Sequence, residues 1–170
     1  ADQVIVHSNA LMGIKGGINP HTALVSNGVD FGAYSTPQPE PADLAKIPSP
    51  RIGYSGYLKQ QLDWNLMDAL VRRHPEWSFV FVGGIRPHEG LQDIVNRLSA
   101  HPNVHLLGLK TVHELTRYPQ HFDCCIMPYR ETPYTNCIYP MKLHEYLASG
   151  RPVVGTSVGT LKEFGATIEL

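Results

Sequence analysis

The chain has 170 residues, with 14 Lys and Arg against 15 Asp and Glu, for a net charge of -1 with His neutral. That balance gives no bulk pull toward nucleic acid or an anionic membrane surface, and no apolar run approaches a membrane span or a leader peptide. Three cysteines, two of them adjacent at Cys124 and Cys125, make no disulfide framework, and nine scattered histidines lack zinc-site spacing, so no metal is expected.

Val4 to His7 reads as a short strand. Thr22 to Val25 is a second apolar run, ending at the turn signal Asn27-Gly28. Pro37, Pro39, Pro41, Pro48 and Pro50 fall between Tyr34 and Pro50, a composition that predicts a stiff, extended linker. From Arg51 a regular alternation begins. Strands are predicted at Arg51 to Gly56, Ser78 to Val82, Val104 to Leu107, Phe122 to Met127 and Pro152 to Gly155. Helices are predicted at Asp63 to His74, Glu89 to Ala100, Val112 to Tyr118 and from Pro140, with a last helix start near Thr160 and a short strand at Thr167 to Glu169. This rhythm argues for βαβ units: an α/β fold with a Rossmann-like parallel sheet and helices on both faces. Ligands of such sheets bind beyond the carboxyl ends of the strands, near the switch in strand order. Three units are expected: 1–34 closing a preceding domain, 35–50 as linker, and 51–170 as the main domain. The chain opens directly into a strand and ends without a closing helix, which reads as a piece of a longer protein.

Tyr139 to Val154 is the most informative stretch. Pro140 suits the first helical position and Gly150 the position just past the end. The free N–H groups and positive dipole end of this helix make a phosphate site. Lys142 adds a charge in the first turn, and Glu145 lies one turn on, on the same side. That pairing suits a nucleotide, with its diphosphate at the helix tip and its ribose hydroxyls on the acid.

Glu145 to Val154 matches the run Glu-(Ala/Tyr)-(Met/Leu)-Ala-x-Gly-x-Pro-Val-Val. It resembles the signature of the retaining family 4 (group 1) glycosyltransferases, which have the GT-B fold. Ala1-Asp2-x-Val4-Ile5-x-x-Ser8, followed later by Asn27-Gly28-Val29-Asp30, resembles the end of that family's N-terminal domain. Three departures stand out. Cys137 occupies the place of the family's first Glu, which is associated with the donor sugar. Tyr57 follows Gly56 where an Arg is usual, and Leu62 replaces a Lys.

The resemblance implies one half of a GT-B fold, the donor-binding part of a hexosyltransferase-type glycosyltransferase. The whole protein would then move a sugar from a nucleoside-diphosphate donor, UDP by family frequency, onto a glycan or lipid-linked acceptor held by a preceding domain. No further cofactor, metal or nucleic acid is implied. The whole protein would be cytoplasmic or peripheral to the inner face of the membrane. Candidate diphosphate contacts are Gly56, Lys59, Thr135, Asn136 and Lys142. Leu109 and Lys110 map onto the family's nucleobase loop, and Glu145 onto its ribose contact. Each has a plainer reading as turn, packing or solvated charge. Gly83-Gly84 lacks the third glycine of a dinucleotide site. The alternative is a non-catalytic module that binds a nucleotide sugar or a partner. The isolated chain is expected to bind nucleotide without turnover.

Overall fold

The computed structural model describes residues 1–88 and 90–170. Its first elements are β1 (Val4–Val6), α1 (Asn9–Gly16), β2 (Thr22–Leu24) and α2 (Phe31–Ser35). β1 and β2 pair in parallel, Val4 opposite Thr22. The sequence reading contains neither helix. Gly13, Gly16 and Gly17 depress helix propensity around α1, but Ser8 caps it by accepting the Leu11 N–H at 3.2 Å. Asp30 caps α2 in the same way through Ala33 N–H.

Residues 36–50 are not the extended linker that their prolines predict. A turn at 42–46 buries Leu44 and Ile47 in the core. Asp43 accepts from Lys110 Nζ at 2.7 Å and from the Tyr118 hydroxyl at 3.0 Å. Burial of two large aliphatic side chains, worth roughly 1.5–3 kcal/mol each, outweighs the extended preference of the prolines.

The remaining elements are β3 (Arg51–Ser55), α3 (Trp64–Arg73), β4 (Ser78–Val82), α4 (Leu91–Ser99), β5 (Val104–Leu106), α5 (Val112–Leu115), β6 (Cys124–Met127), α6 (Met141–Ala148) and β7 (Val153–Gly155). Asp63 caps α3 through Leu66 N–H at 3.0 Å. A reciprocal capping box of Thr111 and Glu114 starts α5. Three helix or strand expectations shrink: the helix from Val112 stops at Leu115, the helix near Thr160 is a 3-10 turn, Gly159–Phe164, and the strand at 167–169 is a single bridge from Glu169 to Val154. α4 begins after Gly90; the predicted start at Glu89 lies outside the described residues.

Among the described residues, β3 to β7 form a five-stranded parallel sheet in the order β5-β4-β3-β6-β7. All five residues of β4 are buried, as a strand covered on both faces requires. Phe122 packs directly on β3, where a Cβ on Gly53 would lie 2.1 Å from its ring. The order reverses between the adjacent strands β3 and β6. A crevice therefore opens at their carboxyl ends, flanked by the loops 56–63 and 128–140.

Candidate donor-nucleotide site

The backbone at the end of β3 is shaped for close approach. Gly56 has φ +121°, and a Cβ there would lie 2.3 Å from both Cε and Nζ of Lys142. On its other side, a Cβ on Gly83 (φ +153°) would lie 2.2 Å from the Gly56 carbonyl oxygen, while the Gly56 N–H donates to Val82 O at 2.6 Å. Gly56 is thus pressed between the end of β4 and the ammonium of Lys142, and only glycine fits.

Lys142 comes from α6. Pro140 sits one step outside this helix as its N-cap, not at the first helical position as the sequence suggests; it has φ -72° and ψ 120°, and no side chain caps the end. The first N–H groups therefore lack intrahelical acceptors. A cleft of about 280 Å³ opens on this helix end. Lys59, Tyr129, Tyr134, Met141 and Lys142 line it, with His7 and Asn27 from the N-terminal elements. Asn27 Nδ2 donates to Tyr139 O at 2.8 Å and the Ser8 hydroxyl to Cys137 O at 2.7 Å, tying those elements to the segment before α6. His7 Nδ1 is buried without a hydrogen-bond partner among the described residues.

Charge in the cleft is partly desolvated. Burial pulls the Lys142 pKa down; Glu145 opposes that and Lys59 adds to it. Burial, then Arg86, lowers the pKa of Lys59. Burial raises the pKa of Glu145, with Lys142 and a hydrogen bond from Tyr34 opposing. Two cations held away from bulk water attract an anion more strongly than surface cations do.

The predicted residues separate into groups. Gly56, Lys59 and Lys142 come together at the cleft. Thr135 does not reach it. Its fully buried hydroxyl donates to Arg130 O at 2.5 Å and meets the Thr132 hydroxyl at 2.9 Å, so it shapes the loop. Asn136 Oδ1 accepts the Gly159 N–H at 2.9 Å, binding that loop to the following 3-10 turn. Glu145 does not line the cleft; it interacts with Lys142 and with the Tyr34 hydroxyl. Lys110 is held by Asp43, whereas Leu109 is exposed beside Gly84 and Tyr57. Leu62 is core, and its backbone bridges to Tyr129. His144 packs against Tyr139 and Phe164. His7, Tyr34 and Arg86 were not legible as site residues, because each arrives from a segment remote in sequence from α6. Asn27 was visible as a turn signal and as part of the Asn27-Gly28-Val29-Asp30 run, but not as a cleft residue.

Residues 49–167 match the family described as glycosyl transferases group 1. The chain belongs to this family. TuaH of Bacillus subtilis (strain 168), whose name assigns it to teichuronic acid biosynthesis as a glycosyltransferase, is 33% identical over 137 residues; the match takes in 79% of this chain and 34% of TuaH. Sucrose-phosphate synthase from Thermosynechococcus elongatus superposes with a TM-score of 0.66 at 19% identity, covering 96% of this chain and 42% of that one. The pneumococcal O-GlcNAc transferase GtfA, solved with UDP and GlcNAc, gives 0.64 at 16% identity, over 95% and 31%. At such identities the superpositions speak for the fold, a Rossmann-like half of GT-B. The chain spans about a third of the length of TuaH. No described helix is long and apolar enough to cross a membrane.

Proposed function

We propose that this chain is the donor-binding part of a glycosyltransferase and that the cleft at the start of α6 receives the diphosphate of a nucleoside-diphosphate sugar. The observation that carries this reading is the Lys142 ammonium laid on Gly56, between the end of β3 and an uncapped helix N-terminus. In catalysis, charge would build on the departing diphosphate as the bond from its phosphate oxygen to the sugar's anomeric carbon breaks and the acceptor oxygen bonds to that carbon. Fixed N–H dipoles and the ammoniums of Lys142 and Lys59 would stabilise that charge without reorganising. Leu109 and the backbone beside it would meet the base, and Glu145 the ribose after a side-chain turn toward the cleft. Uridine remains the base of choice, and a glycan or lipid-linked acceptor the second substrate of the whole protein. No group of three or more candidate metal ligands occurs among the described residues, and the proposed chemistry rests on the protein's cations.

Calorimetric titration with UDP, GDP, ADP and their monophosphates tests the site, alongside Lys142→Ala and Glu145→Ala. The expected result is one diphosphate bound more tightly than its monophosphate, with weaker binding in both variants. If folded protein binds none of them, the proposal fails.

Cys137 favours a second reading, a module that binds nucleotide sugar without transfer. Its thiol stands where the resembled family has a carboxylate. Cys137→Glu in the whole protein separates the readings: activity that is absent in the wild type and appears in the variant supports the module, while wild-type activity excludes it.

A further inference from the structure

The loop after β4 brings a cation, Arg86, to a space beside the cleft. Leu58 N–H donates to Gly84 O at 2.8 Å, and Arg86 N–H to Leu58 O at 2.8 Å, so the loops after β3 and β4 continue as a short parallel ladder. This ladder sets Arg86 beside residues 57–59. The guanidinium lies 4.2 Å from the centre of the Tyr57 ring, a stacked position that orders a long side chain. Lys59 and Arg86 then line one cavity of about 220 Å³, with Gln60 and Gln61. Lys59 also lines the cleft at α6, so the two spaces adjoin through it. No carboxylate among the described residues forms an ion pair with either cation. Two like charges brought together with no counter-ion among the described residues repel each other, and an anion between them relieves that repulsion. Arg86 supplies a planar fork and Lys59 a point charge, a set suited to paired oxygens.

We propose that Lys59 and Arg86, with Tyr57 as the platform for the guanidinium, form a second anion subsite next to the diphosphate cleft, for a phosphate or carboxylate of the substrate. The inference rests on the donor-site reading, which already places Lys59 at the diphosphate, and adds Arg86 and the choice of anion. The group it takes is either the outer phosphate of the donor or an acidic group on the transferred sugar.

The test is titration of wild type, Arg86→Gln, Arg86→Lys and Lys142→Ala with inorganic pyrophosphate, UMP, UDP, UDP-glucose and UDP-glucuronic acid. Arg86 is exposed, so Arg86→Gln should leave the melting temperature unchanged. Loss of a charge-assisted pair should weaken binding about tenfold or more, with partial recovery in Arg86→Lys and no effect on UMP. Weakening of pyrophosphate and UDP assigns the outer phosphate. Weakening confined to UDP-glucuronic acid assigns the sugar carboxylate. Equal affinities of wild type and Arg86→Gln for every probe, or no binding of any probe by wild type, overturn the subsite. The donor-site reading fails separately, if Lys142→Ala binds UDP as tightly as wild type while Arg86→Gln does not.

Discussion

The Lys142 ammonium occupies the space where a side chain on residue 56 would begin: a Cβ on Gly56 would lie 2.3 Å from Lys142 Nζ. Gly56 closes the strand at one side of the switch in the sheet, and Lys142 opens the helix that follows the strand on the other side. The contact therefore joins β3 to α6 across the crevice. It also holds a cation at the helix dipole's positive end, an arrangement that an anion would relieve.

Gly56→Ala puts a methyl at φ +121° and displaces the end of Lys142. Backbone strain should lower stability by about 1–3 kcal/mol, and diphosphate affinity should fall together with it. Thermal unfolding and calorimetric titration of the same sample check both parts. Wild-type affinity in a destabilised variant would mean that the position of Lys142 over Gly56 is not what holds the ligand.

If Lys142 holds the diphosphate, its protonation sets the alkaline limit of binding. Burial depresses its pKa, and the negative charge of Glu145 opposes that depression. Glu145→Gln removes the opposition, so Lys142 loses its proton at lower pH. Diphosphate affinity in this variant should begin to decline, as pH rises, earlier than in wild type. Titrations across a series of pH values will show it; superimposable alkaline limbs would rule out coupling of the two residues.

Gly53 is a packing position. A Cβ there would lie 2.1 to 2.3 Å from three ring atoms of the fully buried Phe122. Gly53→Ala must shift an aromatic ring inside a close-packed core, which costs about 1–3 kcal/mol. Chemical denaturation should give that loss, and a variant as stable as wild type would show that the Phe122 ring has room to move.

Lys110→Met examines the loop expected to meet the base. The ammonium is committed to Asp43 at 2.7 Å in a partly exposed pair, worth up to about 1 kcal/mol. Nucleotide affinity should change less than about threefold, as expected if base contacts come from backbone groups. A loss approaching that of Lys142→Ala would give the Lys110 side chain a direct part in binding.

Much of the architecture was legible from local order. Gly56, Gly83 and Gly108 ended apolar runs, Asp63 marked a helix start, and the alternation from Arg51 onward implied a parallel sheet. These signals act within one turn or one strand, so a linear reading captures them. α1 and α2 escaped it because each is short and sustained by a single cap beside glycine-rich or linker sequence. The proline-rich segment misled for a related reason: composition reports the preference of a free chain, while Leu44 and Ile47 respond to a core contributed by distant elements.

The sequence by itself determined that a helix with free N–H groups and Lys142 in its first turn would start near Pro140 and stop before Gly150, since these signals are local. It also brought Gly56 and Lys59 into consideration, because a glycine turn after a strand is a local event. Only the tertiary structure decided which polar groups reach the cleft. It turned Thr135 into its own loop, tied Asn136 to the following 3-10 turn, engaged Lys110 with Asp43, and delivered His7 and Asn27 to the cleft and Arg86 to the adjoining cavity from remote segments. Hydrogen-bonding capacity is a property of a residue type, but the partner that satisfies it is set by whatever the fold places within about 3 Å.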